Sequence, residues 1–125
     1  MPRKDKLSLV GRYNPRFNQL LKIDLPCFEI YQSSGLLVHI KRRHPGCVKY
    51  IHKIPEIIEN PDYIGKHPKD PNSIKLVKSF DQNLTLAIKL DVENSSFYVA
   101  TLFLLSKQKI ENRVYSKKLI AFAKT

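Results

Sequence analysis

Residues 84–105 read LTLAIKLDVENSSFYVATLFLL. Leu84, Leu86, Ile88, Leu90 and Val92 alternate with Thr85, Ala87, Lys89 and Asp91, the pattern of a half-buried strand. Glu93–Ser96 reads as a hairpin loop. Phe97–Leu105 is apolar on both faces, which places it centrally in a sheet. A four-residue loop would pair Val92 with Phe97 and Ile88 with Thr101. Thr101 is then expected on the face of Leu86, Ile88 and Leu90, the face that helices should cover. Lys89, Asp91, Tyr98 and Lys75 are expected on the opposite, open face. Ser73–Lys78 also alternates, and Lys118–Ala123 is a candidate final strand.

Upstream, the period changes. Ser33 and Ser34 can cap a helix that starts at Gly35 or Leu36 and ends near His44, where Pro45-Gly46 breaks it. A second helix is expected over Val48–Lys53 and a third over Glu56–Glu59, with Pro55 in its first turn. Asn60-Pro61-Asp62 stops it, and residues 65–73 form a polar loop. Leu20–Ile23 and Cys27–Tyr31 read as short strands, and Lys107–Tyr115 as helical or irregular. Short helices followed by a three- or four-stranded antiparallel sheet define an α+β fold. Residues 1–18 are basic and carry Pro2 and Pro15, so a loosely attached arm is expected there, followed by a single domain over 19–125.

The chain of 125 residues has 22 Lys+Arg against 11 Asp+Glu, a formal net charge of +11. An excess of that size on one small domain points to a polyanionic partner, nucleic acid above all. The basic residues do not line one face of a long amphipathic helix, and no apolar run approaches a membrane span. Cys27 and Cys47 have neither zinc-site nor disulfide-framework spacing, so free thiols in a reducing cytosol are expected, with a Cys27–Cys47 bridge as the alternative. No cofactor motif is present: the chain has no P-loop, no nucleophile elbow and no zinc deaminase signature.

The stretch HIKRRHPGCVKYIHKIPEIIENPDYI, residues 39–64, sets His39 and His44 among Lys41, Arg42 and Arg43. At about 100° per residue, Leu36, Leu37, Ile40 and His44 share the face turned to the sheet. His39 lies at its edge, one turn from Arg42 and Arg43. Imidazoles shuttle protons near neutrality and fixed cations hold phosphate. The alternatives are a core-edge His44 bonded to a backbone carbonyl and a merely solvated His39. Their five-residue spacing does not suit a metal chelated from one helix face. The Thr101 hydroxyl either bonds to backbone or lines a cleft. Lys89 and Tyr98 on an open sheet suit RNA backbone and base stacking, or form an ordinary solvated face. Lys107, Lys109 and Arg113 follow the central strand, and Arg113 can grip phosphate through two nitrogens where lysine cannot. Glu56 and Glu59 could pair with the basic cluster or simply keep their helix soluble.

The order His39-Ile40-x-x-Arg43-His44, then IPEIIENPDYI at 54–64, an alternating strand, an apolar strand with Thr101 and a Lys/Asn/Arg-rich segment resembles the phage-associated Barnase–EndoU–colicin–RelE-like nucleases. The resemblance spans about residues 30–120. It implies a barnase/RelE-like α+β domain and metal-independent endoribonuclease activity, often as a toxin of a phage or other mobile element acting in the cytoplasm. It puts the helix motif on His39, Arg43 and His44 and the strand threonine on Thr101, with Arg113 in the loosely matched basic segment. The expected catalytic set is therefore His39, His44, Arg43 and Thr101. The histidines would be base and acid, Arg43 the charge stabiliser, and Thr101 would orient a phosphate oxygen. The expected nucleic-acid contacts are Lys41, Arg42, Lys89, Tyr98, Lys107 and Arg113. The expected partners are RNA, with tRNA among the candidates, and an acidic immunity protein or antitoxin, without a membrane. The rival readings are a non-catalytic RNA- or DNA-binding module and a phage structural or injected protein.

Overall fold

The computed structural model describes residues 6–122. Seven strands are present among them: β1 Leu7–Arg12, β2 Glu29–Ser33, β3 Tyr63–Lys66, β4 Ser73–Ser79, β5 Asn83–Asp91, β6 Ser96–Leu104 and β7 Ile120–Ala121. The helices are α1 Pro15–Leu21, α2 Gly35–Arg43, α3 Ile54–Glu59 and α4 Lys107–Tyr115, with a 3-10 segment at Pro45–Lys53 between α2 and α3. The strands form one sheet in the order β1-β2-β6-β5-β4-β3-β7. All neighbours are antiparallel except β2 and β6, which run parallel. The α+β class is as expected, but the sheet is mixed and has seven strands rather than three or four.

The extra strands are short. β2 contributes only Ile30 and Tyr31 to its ladder with β6, β3 is four residues long and β7 two. β2 overlaps the strand expected over Cys27–Tyr31 and β7 lies within the one expected over Lys118–Ala123, whereas β3 is too brief to show a period of two in sequence. Leu20 and Leu21 lie in α1 and not in a strand. Asn14 caps this helix by accepting from the Arg16 amide at 2.9 Å, Pro15 opens it, and Lys22 closes it with φ 57. Residues 7–18 are not a loose arm: β1 pairs with β2, and Tyr13 and Phe17 are fully buried. The Tyr13 ring stacks on Phe97 at 4.8 Å and meets Phe17 edge-on at 5.2 Å. Residues 1–5 of the expected arm lie outside the described residues.

The two faces of the sheet carry different loads. Ile64, Ile74, Leu76, Leu84, Leu86, Ile88, Phe97, Val99 and Leu102 turn to one face and form the main core with Phe17, Ile30, Leu36, Ile40, Ile54, Ile57 and Ile58. On the opposite face Val77, Leu105, Ile110 and Leu119 form a small second core with Tyr63 and Phe103, so α4 covers only one end of that face. No helix among the described residues is long and apolar enough to cross a membrane. Cys27 is exposed and Cys47 buried, and both are free thiols.

Candidate active site

The register of β5 and β6 decides where Thr101 points. Asp91 pairs with Ser96, Leu90 with Phe97, Lys89 with Tyr98 and Ile88 with Val99. The next pair is Ala87 with Thr101, so Ala100 is the extra residue of a β-bulge. One inserted residue exchanges the faces of everything beyond it. Thr101 therefore shares a face with Ala87, Lys89, Tyr98 and Phe103, and Leu102 takes the core position opposite Leu86. The expected pairing of Thr101 with Ile88 on the helix-covered face is corrected: the hydroxyl lies on the open face.

Helix α2 reaches this face from the sheet edge. The β2–β6 ladder ends at Tyr98, and α2 packs beside β6 beyond that point. Leu36 and Ile40 anchor it in the core. His39 is exposed, and its Nε2 lies 3.1 Å from the Thr101 hydroxyl oxygen. His44 terminates α2 and donates its amide to the Ile40 carbonyl at 2.7 Å. Its half-buried ring lies 5.8 Å from Phe103 and 6.3 Å from the His39 ring, centroid to centroid. Two imidazoles and a hydroxyl thus meet where α2 crosses the edge of β6, with water access on the open side.

The remaining expected residues divide by position. Arg43 follows His39 by one helical turn on the same stripe, exposed and without an ion pair among the described residues. Lys41 and Arg42 are also exposed. Lys89 and Tyr98 pair on the open face, as expected, and it is Thr101 that unexpectedly joins them there. Lys89 is bound to Asp70 at 3.0 Å, and this bond is the first cause that raises the lysine above its ordinary pKa. Lys107, in the first turn of α4, is exposed, whereas Arg113 is half-buried and lines a cavity of about 660 Å³. Glu56 is within 4.0 Å of Lys53 and does not join the α2 cluster.

Sequence reasoning underweighted that cavity. Lys66, His67, Lys69, Lys75, Lys117 and Lys118 line it together with Arg113. Lys75 pairs with Ala87, which places it on the Thr101 face. The run GKHPKDPNS at 65–73 carried the signal, a loop with two lysines and a histidine, but nothing in it says that the loop folds against α4.

Across residues 8–112 the chain matches the family model described as phage-Barnase-EndoU-ColicinE5/D-RelE like nuclease3. The chain belongs to this nuclease family. The matched span runs from β1 into α4 and so contains the α2–β6 junction and most of both sheet faces. No curated protein and no solved structure matches the chain. Membership makes nucleic acid the substrate class, in keeping with the charge of +11.

Proposed function

We propose that the protein is a metal-independent endoribonuclease whose catalytic centre is the α2–β6 junction. The observation that supports this most is the His39–Thr101 hydrogen bond at 3.1 Å, with the His44 ring 6.3 Å from His39 on the same open face. One imidazole takes the proton from a ribose 2′-OH, and that oxygen forms a bond to the adjacent phosphorus. The other imidazole gives its proton to the 5′-oxygen as the P–O5′ bond breaks. The products are a 2′,3′-cyclic phosphate and a free 5′-hydroxyl. Arg43 stabilises the added negative charge on the phosphorane. Thr101 holds the His39 ring in place, a narrower role than orienting a phosphate oxygen. The need for a 2′-OH restricts the reaction to RNA.

Tyr98 offers a ring for base stacking, and Arg42 and Lys107 extend the positive field along the strand's path. A nuclease of this kind suits a toxin of a phage or mobile element in the bacterial cytoplasm, held in check by a small acidic protein. The deciding experiment is incubation of the purified protein with RNA, and with DNA of the same sequence, in EDTA. RNA alone should be cut, leaving cyclic phosphate ends. His39→Ala and His44→Ala should each slow cleavage by roughly a hundredfold. If both variants melt like the parent and cut at its rate, the proton-transfer assignment fails. RNA binding without cleavage by the parent would instead favour the binding-module reading.

A further inference from the structure

The rung of the sheet that carries Thr101 continues across it. Thr101 pairs with Ala87, Ala87 with Lys75, and Lys75 with Gly65. All four residues face the same side. With about 4.8 Å between strands, the Lys75 backbone lies about 10 Å from that of Thr101. Only the Ala87 methyl stands between them, so the floor of this trough is low. The next rung on one side is Tyr98–Lys89–Ser73, and the next on the other is Phe103–Thr85–Val77–Tyr63 under α4. The trough leads from the His39–Thr101 contact to the cavity at Lys75 and Arg113.

The charges in that cavity do not cancel. Lys75 is half-buried and has no ion pair among the described residues. Arg113 lines the same cavity, also without one. Burial, and then the Arg113 charge, hold Lys75 below the ordinary lysine pKa. Asp70 is the one carboxylate in the lining among the described residues, and it is engaged by Lys89 at 3.0 Å and by the Asn72 amide. His67 accepts the Lys69 and Asp70 amides on Nδ1, at 3.1 and 3.0 Å. Its neutral ring therefore carries the proton on Nε2 and can donate from there. Two like charges held together without a counter-ion are costly, and an anion between them removes that cost.

We propose that this cavity is a second phosphate subsite, in which Lys75 and Arg113 grip a neighbouring phosphate of the RNA strand whose scissile phosphate lies at His39 and Thr101. The inference rests on the proposed nuclease reading for the position of the scissile phosphate. The subsite itself needs only a strand lying along the trough. It would fix the direction of the RNA on the sheet and make cleavage depend on phosphates outside the reacting one.

The test compares the parent with Lys75→Met and Arg113→Gln, each checked for a parental melting temperature. One substrate is a dinucleotide with a single phosphate and the other is a pentanucleotide. Each variant should lower kcat/KM for the pentanucleotide about tenfold more than for the dinucleotide. Equal losses on the two substrates, or none, would overturn the subsite. A second arm measures binding of a non-cleavable 2′-O-methyl pentanucleotide against salt. Loss of one phosphate contact should reduce the slope of log K on log salt by about 0.7. This arm does not need cleavage. If the parent cuts nothing but the slope falls in the variants, the subsite stands and the nuclease reading does not. An unchanged slope in both variants removes the subsite whatever the activity.

Discussion

The contact between His39 and Thr101 is the point at which the proposed mechanism can be broken most cleanly. Thr101→Val removes the hydroxyl and keeps the shape of the side chain. His39 is exposed and its bond to Thr101 lies at the surface, so the effect on stability should stay within about 1 kcal/mol. The effect on rate follows from what the bond can do. At 3.1 Å it is an ordinary hydrogen bond, worth about 1 kcal/mol net. If its only role is to hold the imidazole, Thr101→Val should slow cleavage about fivefold, since about 1.4 kcal/mol corresponds to tenfold. His39→Ala removes the acid or base itself and should cost about a hundredfold. A positioning residue has nothing left to position once the ring is gone. The double variant should therefore be slower by about a hundredfold, and not by the product of the two single losses. The assay is the initial rate on one oligoribonucleotide in EDTA for the four proteins of the cycle, each shown to melt as one transition. A double variant about five-hundredfold slower would mean that the hydroxyl acts on the RNA by itself, and the positioning role would be wrong. A Thr101→Val protein as fast as the parent would remove the residue from the mechanism.

Three further outcomes concern the scaffold. Thr85 is fully buried and its hydroxyl has no hydrogen-bond partner among the described residues, so Thr85→Val should raise stability by about 1 kcal/mol; a lower urea midpoint would contradict this. A Cβ on Gly65 would come within 2.6 Å of the Lys118 carbonyl oxygen, so Gly65→Ala should destabilise by about 1–3 kcal/mol, seen as a lowered Tm, and a parental Tm would show that the β3–β7 edge yields. The Tyr50 hydroxyl donates to Asp81 at 2.6 Å, a bond that holds the Asp81 carboxyl below its ordinary range and is the first cause pushing Tyr50 up to about 12. The carboxylate contribution to stability is present above the ordinary aspartate range and is lost as pH falls through its lowered folded value. The phenol contribution is present below the ordinary tyrosine range and is lost as pH rises through about 12. Tyr50→Phe removes both, so the gap in urea midpoint between variant and parent should be widest near neutrality and close in strong acid and strong base; a constant gap would refute the linkage.

Local pattern in the sequence determined the elements that are long and strongly periodic. The alternation from Leu84 to Asp91 specifies β5, the apolar run after it specifies β6, and the Pro-Gly stop ends α2, although Ser34 before it makes no capping hydrogen bond. These signals lie within one element, and an isolated segment carries them. The charge of +11 and the chemistry of His39, Arg43 and His44 are likewise properties of the chain alone. The short strand β3 exists because its neighbours supply its hydrogen bonds, β2 and β7 keep only part of the stretches that read as strands, and α1 is helical although its Leu-Leu sequence reads as readily as a strand. The basic loop at 65–73 becomes a cavity wall only because β3 and β4 fold it against the C-terminal part of α4. The face of Thr101 was decided by tertiary structure for the most specific reason. A strand's alternation tells which residues share a face only while its register is unbroken. The bulge at Ala100 shifts that register by one residue, where β2 ends and α2 takes over the edge of β6. Leu102, not Thr101, then fills the core beside Leu86, since burying the leucine gains apolar contact and burying the hydroxyl would cost an unmet hydrogen bond.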